Sequence, residues 1–147
     1  MADRPPARGS VLLLFPAALL VVLVLGSLAI DAAAVFVRQR ELLDAAAAAA
    51  NDAATAGLDV DHLRATGEIR LDPGRVDATV AASLAARGAL DELTARPEWR
   101  IVDDRRVEVT LAARAAYVLS PVLPGAPDGR ELEVTAVGTA VVLGSDP

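Results

Sequence analysis

His62 is the single histidine of the 147-residue chain, and it follows Asp59 and Asp61 in the run DVDH. An imidazole beside two carboxylates is a donor set that a divalent cation can accept. Here the ligand count falls short. There is no second histidine and no cysteine, so a multi-histidine or thiolate zinc set is excluded and a site here would be under-coordinated. The spacing and closing glutamate of a calcium loop are missing too. The expectation is a loop or helix-cap role for His62. Ser83 lacks a Gly-x-Ser-x-Gly setting, and a Ser–His–Asp relay would have to draw on His62 alone. Asp103-Asp104-Arg105-Arg106 reads as a charged hairpin turn, and Trp99 as a core or edge residue of its strand. Gly125 and Gly129 form no phosphate cradle, because no helix start follows them. No catalytic, cofactor-binding or metal-ligating residue is assigned, and the chain is expected not to be an enzyme.

The most informative run is apolar. Val11 to Ile30 contains no charged side chain, and fourteen of its twenty residues are Leu, Val, Ile or Phe. These are Val11, Leu12, Leu13, Leu14, Phe15, Leu19, Leu20, Val21, Val22, Leu23, Val24, Leu25, Leu28 and Ile30. About 20 residues at about 1.5 Å each span the hydrocarbon of a bilayer. Each such side chain favours insertion by about 0.3 to 0.6 kcal/mol at the centre. Pro16 falls in the first turns, where a missing N–H costs least. Arg4 and Arg8 precede the run, whereas Asp31 follows it with no further charge until Arg38. The positive-inside rule then places the N-terminus in the cytoplasm and the rest outside the membrane, in a single pass. Ser27-Leu28-Ala29 supports the alternative, a signal peptide cut after Ala29 that releases a small α+β binding module.

Composition limits what the remainder can be. From Asp31 onward there are nineteen acidic residues against twelve Arg, so this part is net negative, which disfavours nucleic acid and anionic lipid as partners. All fourteen basic residues are Arg; with the Ala, Val, Asp and Gly excess this fits GC-rich, bacterial coding. The length beyond the span suits one small domain.

The elements follow from periodicity. Residues 31 to 56 hold neither proline nor glycine and are rich in alanine, so the helix is expected to continue to about Ala56 and stop at Gly57. Its stripe is Val35, Leu42, Ala45, Ala46, Ala49, Ala53 and Ala56. This stripe can pack on the chain's own sheet, or it can assemble with other helices. Asp31, Leu42, Ala46, Ala49 and Ala53 are the candidate helix-partner contacts. Arg38 and Arg40 are expected to be solvated or paired with Glu41 and Asp44. Glu68 to Leu71 reads as a short strand. Asp72-Pro73 begins a second helix to about Arg87, with Val76, Val80, Leu84 and Ala81 inward. Leu90 and Leu93 extend it irregularly past Gly88. Glu98 to Val102, Arg106 to Leu119 and Glu131 to Leu143 read as antiparallel strands, the latter two alternating, with a loop at Ser120–Arg130. On the third strand the shared face is Leu132, Val134, Ala136, Gly138, Ala140 and Val142. The expected fold is α+β and pilin-like: a long transmembrane and stalk helix, then a small antiparallel sheet of three to four strands with one further helix. The segments are 1–10 cytoplasmic, 11–30 transmembrane, 31–57 stalk and 58–147 head.

Arg8-Gly9-Ser10 before the run, Asp31 after it and the Ala-rich stretch around Asn51-Asp52 give the N-terminal third a resemblance to a known family. It resembles the TadE/TadG-like family of pilus-assembly proteins, in particular the TadG-like N-terminal domain of Flp-type pilus systems. The resemblance implies a single-pass, pilin-like accessory protein beside a pilus-assembly and secretion machine, with other membrane proteins of that machine as partners. Self-association through the N-terminal helix is a further expectation. In pseudopilins of that type processing follows a Gly and leaves Glu at the fifth position. Cutting after Gly9 would leave Leu14 there, so that cleavage is not expected.

Overall fold

The first element, α1, runs unbroken from Ser10 to Ala56, 47 residues or about 70 Å. The computed structural model describes residues 10–119 and 131–143, with the backbone alone for 10–13. Pro16 lies inside α1 without ending it. The second half of the helix is rich in alanine, which loses no side-chain entropy on ordering. Within it Leu42, Ala46, Ala49, Ala50, Ala53 and Ala54 are buried, at the three- and four-residue spacing of one helix face. Residues 31–56 are therefore the central helix of the head rather than a rod standing clear of it.

Gly57 stops α1 for a reason of space. A side chain there would overlap the Ala53 carbonyl and the Val76 methyl of the next long helix. Its φ is not positive, so no left-handed turn is involved. The chain then loops out and returns: Asp59 N–H donates to the Arg70 carbonyl and Asp72 N–H to the Gly57 carbonyl, each at 2.8 Å. Only Leu71 of the expected Glu68–Leu71 strand pairs, as a bridge to Leu58. Between them lies a helix absent from the sequence expectation, α2 (Val60–Thr66). Its seven residues are too few for a helical period to register. It is held by its ends instead. Asp59 accepts from His62 N–H at 3.0 Å, and Gly67, at φ +77°, donates back to Leu63.

The helix α3 (Pro73–Ala86) begins as expected, with Asp72 accepting from Arg75 N–H at 2.8 Å and proline at the first helical position. Val76, Val80, Ser83 and Leu84 are buried. Ala81, expected inward, is exposed, because it lies a further 100° round from Val80. Gly88, at φ +67°, turns the chain, and Ala89 N–H closes on the Leu84 carbonyl at 3.0 Å. A single 3₁₀ turn follows at Leu90–Glu92.

Three strands complete the fold: β1 (Glu98–Asp103), β2 (Arg106–Ala116) and β3 (Glu131–Val141), antiparallel in the order β1-β2-β3. Asp104 and Arg105 make the two-residue turn of the first hairpin, and Asp103 accepts from Arg105 N–H at 3.0 Å. Beyond the reach of β1, Leu93 and Thr94 take up pairing with β2 at Ala113 and Ala112. Val107, Val109, Leu111, Ala113 and Ala115 of β2 and Val134, Ala136 and Gly138 of β3 face inward. Tyr117 lies past the end of β2, and Leu132 at the start of β3 is exposed. The architecture is α+β, with α1 packed on one face of the sheet and α3 packed on α1, all sharing one core. The expected loop Ser120–Arg130 lies outside the described residues.

Candidate functional site

The residues that sequence alone offered for chemistry are held apart. His62 sits in the first turn of α2, and its Nε2 is 3.8 Å from Glu68 of the following loop. Ser83 on α3 donates its hydroxyl to Asp52 of α1 at 2.6 Å, and Arg87 approaches the same carboxylate oxygen at 3.8 Å. A serine, an acid and a histidine are thus present, but the histidine engages a different carboxylate. Asp103 and Arg106 close the hairpin at 3.7 Å. Trp99 is half-buried on β1, and its indole N–H reaches Asp77 of α3 at 2.8 Å. Among the described residues no group of three or more His, Cys, Asp or Glu is placed to hold a metal ion. Gly125 and Gly129 lie outside the described residues.

The organised feature is α1 itself, which passes through two environments. From Leu14 to Ile30 the large apolar side chains stand exposed: Leu14, Phe15, Leu19, Leu20, Val21, Val22, Leu23, Val24, Leu25, Leu28 and Ile30. Ser27 is buried and satisfies itself by donating to the Val24 carbonyl at 2.8 Å. Val11, Leu12 and Leu13 continue the helix backbone, and their side chains lie outside the described residues. This is one helix long and apolar enough to cross a membrane.

At Asp31 the environment changes. The Asp31 side chain is only 2% exposed, and its Oδ1 accepts from Val118 N–H at 2.7 Å and Leu119 N–H at 2.8 Å. A carboxylate that ends the apolar run thereby clasps the chain where it leaves β2. Nothing local in the sequence signals this contact across 87 residues. Higher on α1, Leu42, Ala46, Ala49 and Ala53 pack inside the chain's own core with β2, β3 and α3. Of the five candidate partner contacts, then, all are buried within this chain.

Electrostatic ties flank the junction. Arg38 reaches Glu92 at 2.6 Å and Glu41 at 3.3 Å, and Arg40 reaches Asp44 at 3.5 Å. The Glu92 hydrogen bond holds the Arg38 guanidinium above its ordinary range, against partial desolvation, and Glu41 adds to it. Arg100 is likewise raised by its hydrogen bond to Glu108 across the β1–β2 pair. The Arg38–Glu92 bridge was beyond sequence reasoning, because Glu92 belongs to the irregular 3₁₀ turn.

Fold and junction together define a class: an α+β head built on the distal half of a helix whose proximal half is exposed and apolar. No protein-family model matches the chain, and no curated protein or solved structure is significantly similar to it.

Proposed function

We propose that the chain is a membrane-anchored, non-enzymatic, pilin-like structural or assembly factor of a Tad/Flp-type pilus or secretion system. One observation carries the reading: a single unbroken helix whose large apolar side chains over Leu14–Ile30 are exposed, followed by a one-sided buried stripe from Asp31 onward. In water the first part would leave an apolar surface far larger than a soluble monomer exposes, whereas lipid accepts it on all sides. The Arg4 and Arg8 flank favours a cytoplasmic N-terminus and an extracytoplasmic head. The resemblance of the first third to TadG-like N-terminal domains supplies the system in which such a factor works. Its partners on this reading are the bilayer and other membrane proteins of that machine.

Alkaline carbonate washing of membranes tests the anchor, and full-length chain in the pellet is expected. Recovery of a form beginning at Ile30 in the supernatant would instead establish the secreted module. Single cysteines at Ala2 and Ser145, in a chain with no native cysteine, are expected to label from opposite sides of intact cells. Photo-crosslinkers at Leu20 and Leu23 are expected to capture a second membrane protein in cells that build the pilus. Capture of lipid alone would defeat the assembly reading while leaving the anchor in place.

A further inference from the structure

Asp31 ends the uncharged run, yet α1 does not become polar there. Residues 32–37 read AAAVFV, and the next charge is Arg38. The Asp31 carboxylate is supplied with N–H donors by the chain itself, at Val118 and Leu119, so it does not depend on water at that level. The same contact fixes the end of β2 beside Asp31. Antiparallel pairing then brings the start of β3 to that level as well, with Ala116 opposite Glu131 and Ala115 opposite Leu132. Among the described residues, the end of the head nearest the apolar span is therefore built from α1 just past Asp31, residues 117–119 and the start of β3.

Among the described residues this end carries exposed apolar side chains. Phe36 is 66% and Val118 57% exposed, Val37 and Leu132 are exposed too, and Tyr117 is half-buried. Phe36 and Val37 lie within about 9 Å of Asp31 along the helix axis. That matches the headgroup layer, which adds roughly 5–8 Å to each side of the hydrocarbon. Charged groups near this end include Arg114, Glu131, Glu133 and Arg38. Arg114 reaches Glu131 at 3.3 Å, and Arg38 is bridged to Glu92 and Glu41.

Resting on the anchor reading above, we propose that the base of the head, Phe36, Val37, Val118 and Leu132 with Tyr117, is a lipid-contact surface seated in the headgroup layer of the bilayer. Asp31 is the pin that holds it there. The helix then crosses hydrocarbon and one interface without a break, and the head rides on the membrane instead of standing off it.

The test uses the full chain in phosphatidylcholine nanodiscs, with single cysteines at Val22, Phe36, Val118 and Val141 carrying an environment-sensitive fluorophore. Nitroxide on the lipid headgroup is expected to quench Phe36 and Val118 several-fold more than Val141, and nitroxide deep in the acyl chain to quench Val22. The proposal is overturned if Phe36 and Val118 respond like Val141 while Val22 remains lipid-quenched. It is also overturned if their shielding from aqueous iodide appears only in discs holding more than one copy, which would assign the surface to a second copy. Loss of lipid quenching at Val22 as well would bring down the anchor reading itself.

Discussion

Gly138 of β3 lies directly on the main chain of Ala46 in α1: a Cβ at Gly138 would overlap the Ala46 carbonyl group and the Ala47 nitrogen. Helix and strand approach so closely because neither contributes a side chain larger than a methyl at the crossing. An alanine-rich helix buries little area per residue, so closeness of packing stands in for bulk. Gly138→Ala is therefore expected to destabilise the head by about 1–3 kcal/mol or more, since backbone rather than a flexible side chain must move. Equilibrium urea unfolding of the full chain in detergent, followed by circular dichroism, measures it. An unchanged midpoint would show that the sheet can shift at no cost.

Asp31→Ala is expected to leave the Val118 and Leu119 N–H groups without this acceptor, at about 1–3 kcal/mol for each amide that stays buried. Asp31→Asn keeps an acceptor oxygen and is expected to cost less. Amide hydrogen exchange separates this from a general loss of stability. Val118 and Leu119 should lose protection first, while Val109 and Leu111 in mid-strand keep theirs.

Ser83→Ala removes the hydroxyl that Asp52 accepts, but the Asp52 side chain is half-exposed and can turn to water. A loss near 1 kcal/mol is expected. Replacing Leu84, its fully buried neighbour, with Ala should cost about 2–5 kcal/mol. Thermal unfolding of the two variants side by side checks the order, and the reverse order would mean that Asp52–Ser83 is the main tie between α1 and α3.

Arg38 and Glu92 join α1 to the 3₁₀ turn through a partly buried arginine and an exposed glutamate. A double-mutant cycle with Arg38→Ala and Glu92→Ala is expected to return a coupling of about 1 kcal/mol or less, falling further at high salt. A coupling that survives molar salt would show that the bridge is shielded from solvent.

His62→Ala is expected to leave assembly intact and to alter stability by no more than about 0.5 kcal/mol, because the cap on α2 uses the backbone N–H of residue 62 and not its imidazole. Asp59→Ala, which removes the capping oxygen, is expected to cost about 1 kcal/mol. Loss of an enzymatic activity in the His62 variant would overturn the non-enzymatic reading.

What could be read from the sequence rests on local rules. An uncharged run as long as a bilayer is thick, an Asp-Pro helix start at 72–73 and period-two alternation in β2 and β3 each depend on residues within a turn or two of one another. Tertiary structure alone decided the rest. The stripe Leu42–Ala46–Ala49–Ala53 is made largely of methyl groups, which fit a sheet or another helix equally well, and only the arrival of Gly138 selected the sheet. Asp31 reads as a boundary marker until the fold carries Val118 and Leu119 back to it across 87 residues. α2 is too short to show a period and exists through Asp59 and Gly67 at its ends. Periodicity reveals which face of an element is apolar, but the partner for that face is settled by contacts between distant parts of the chain.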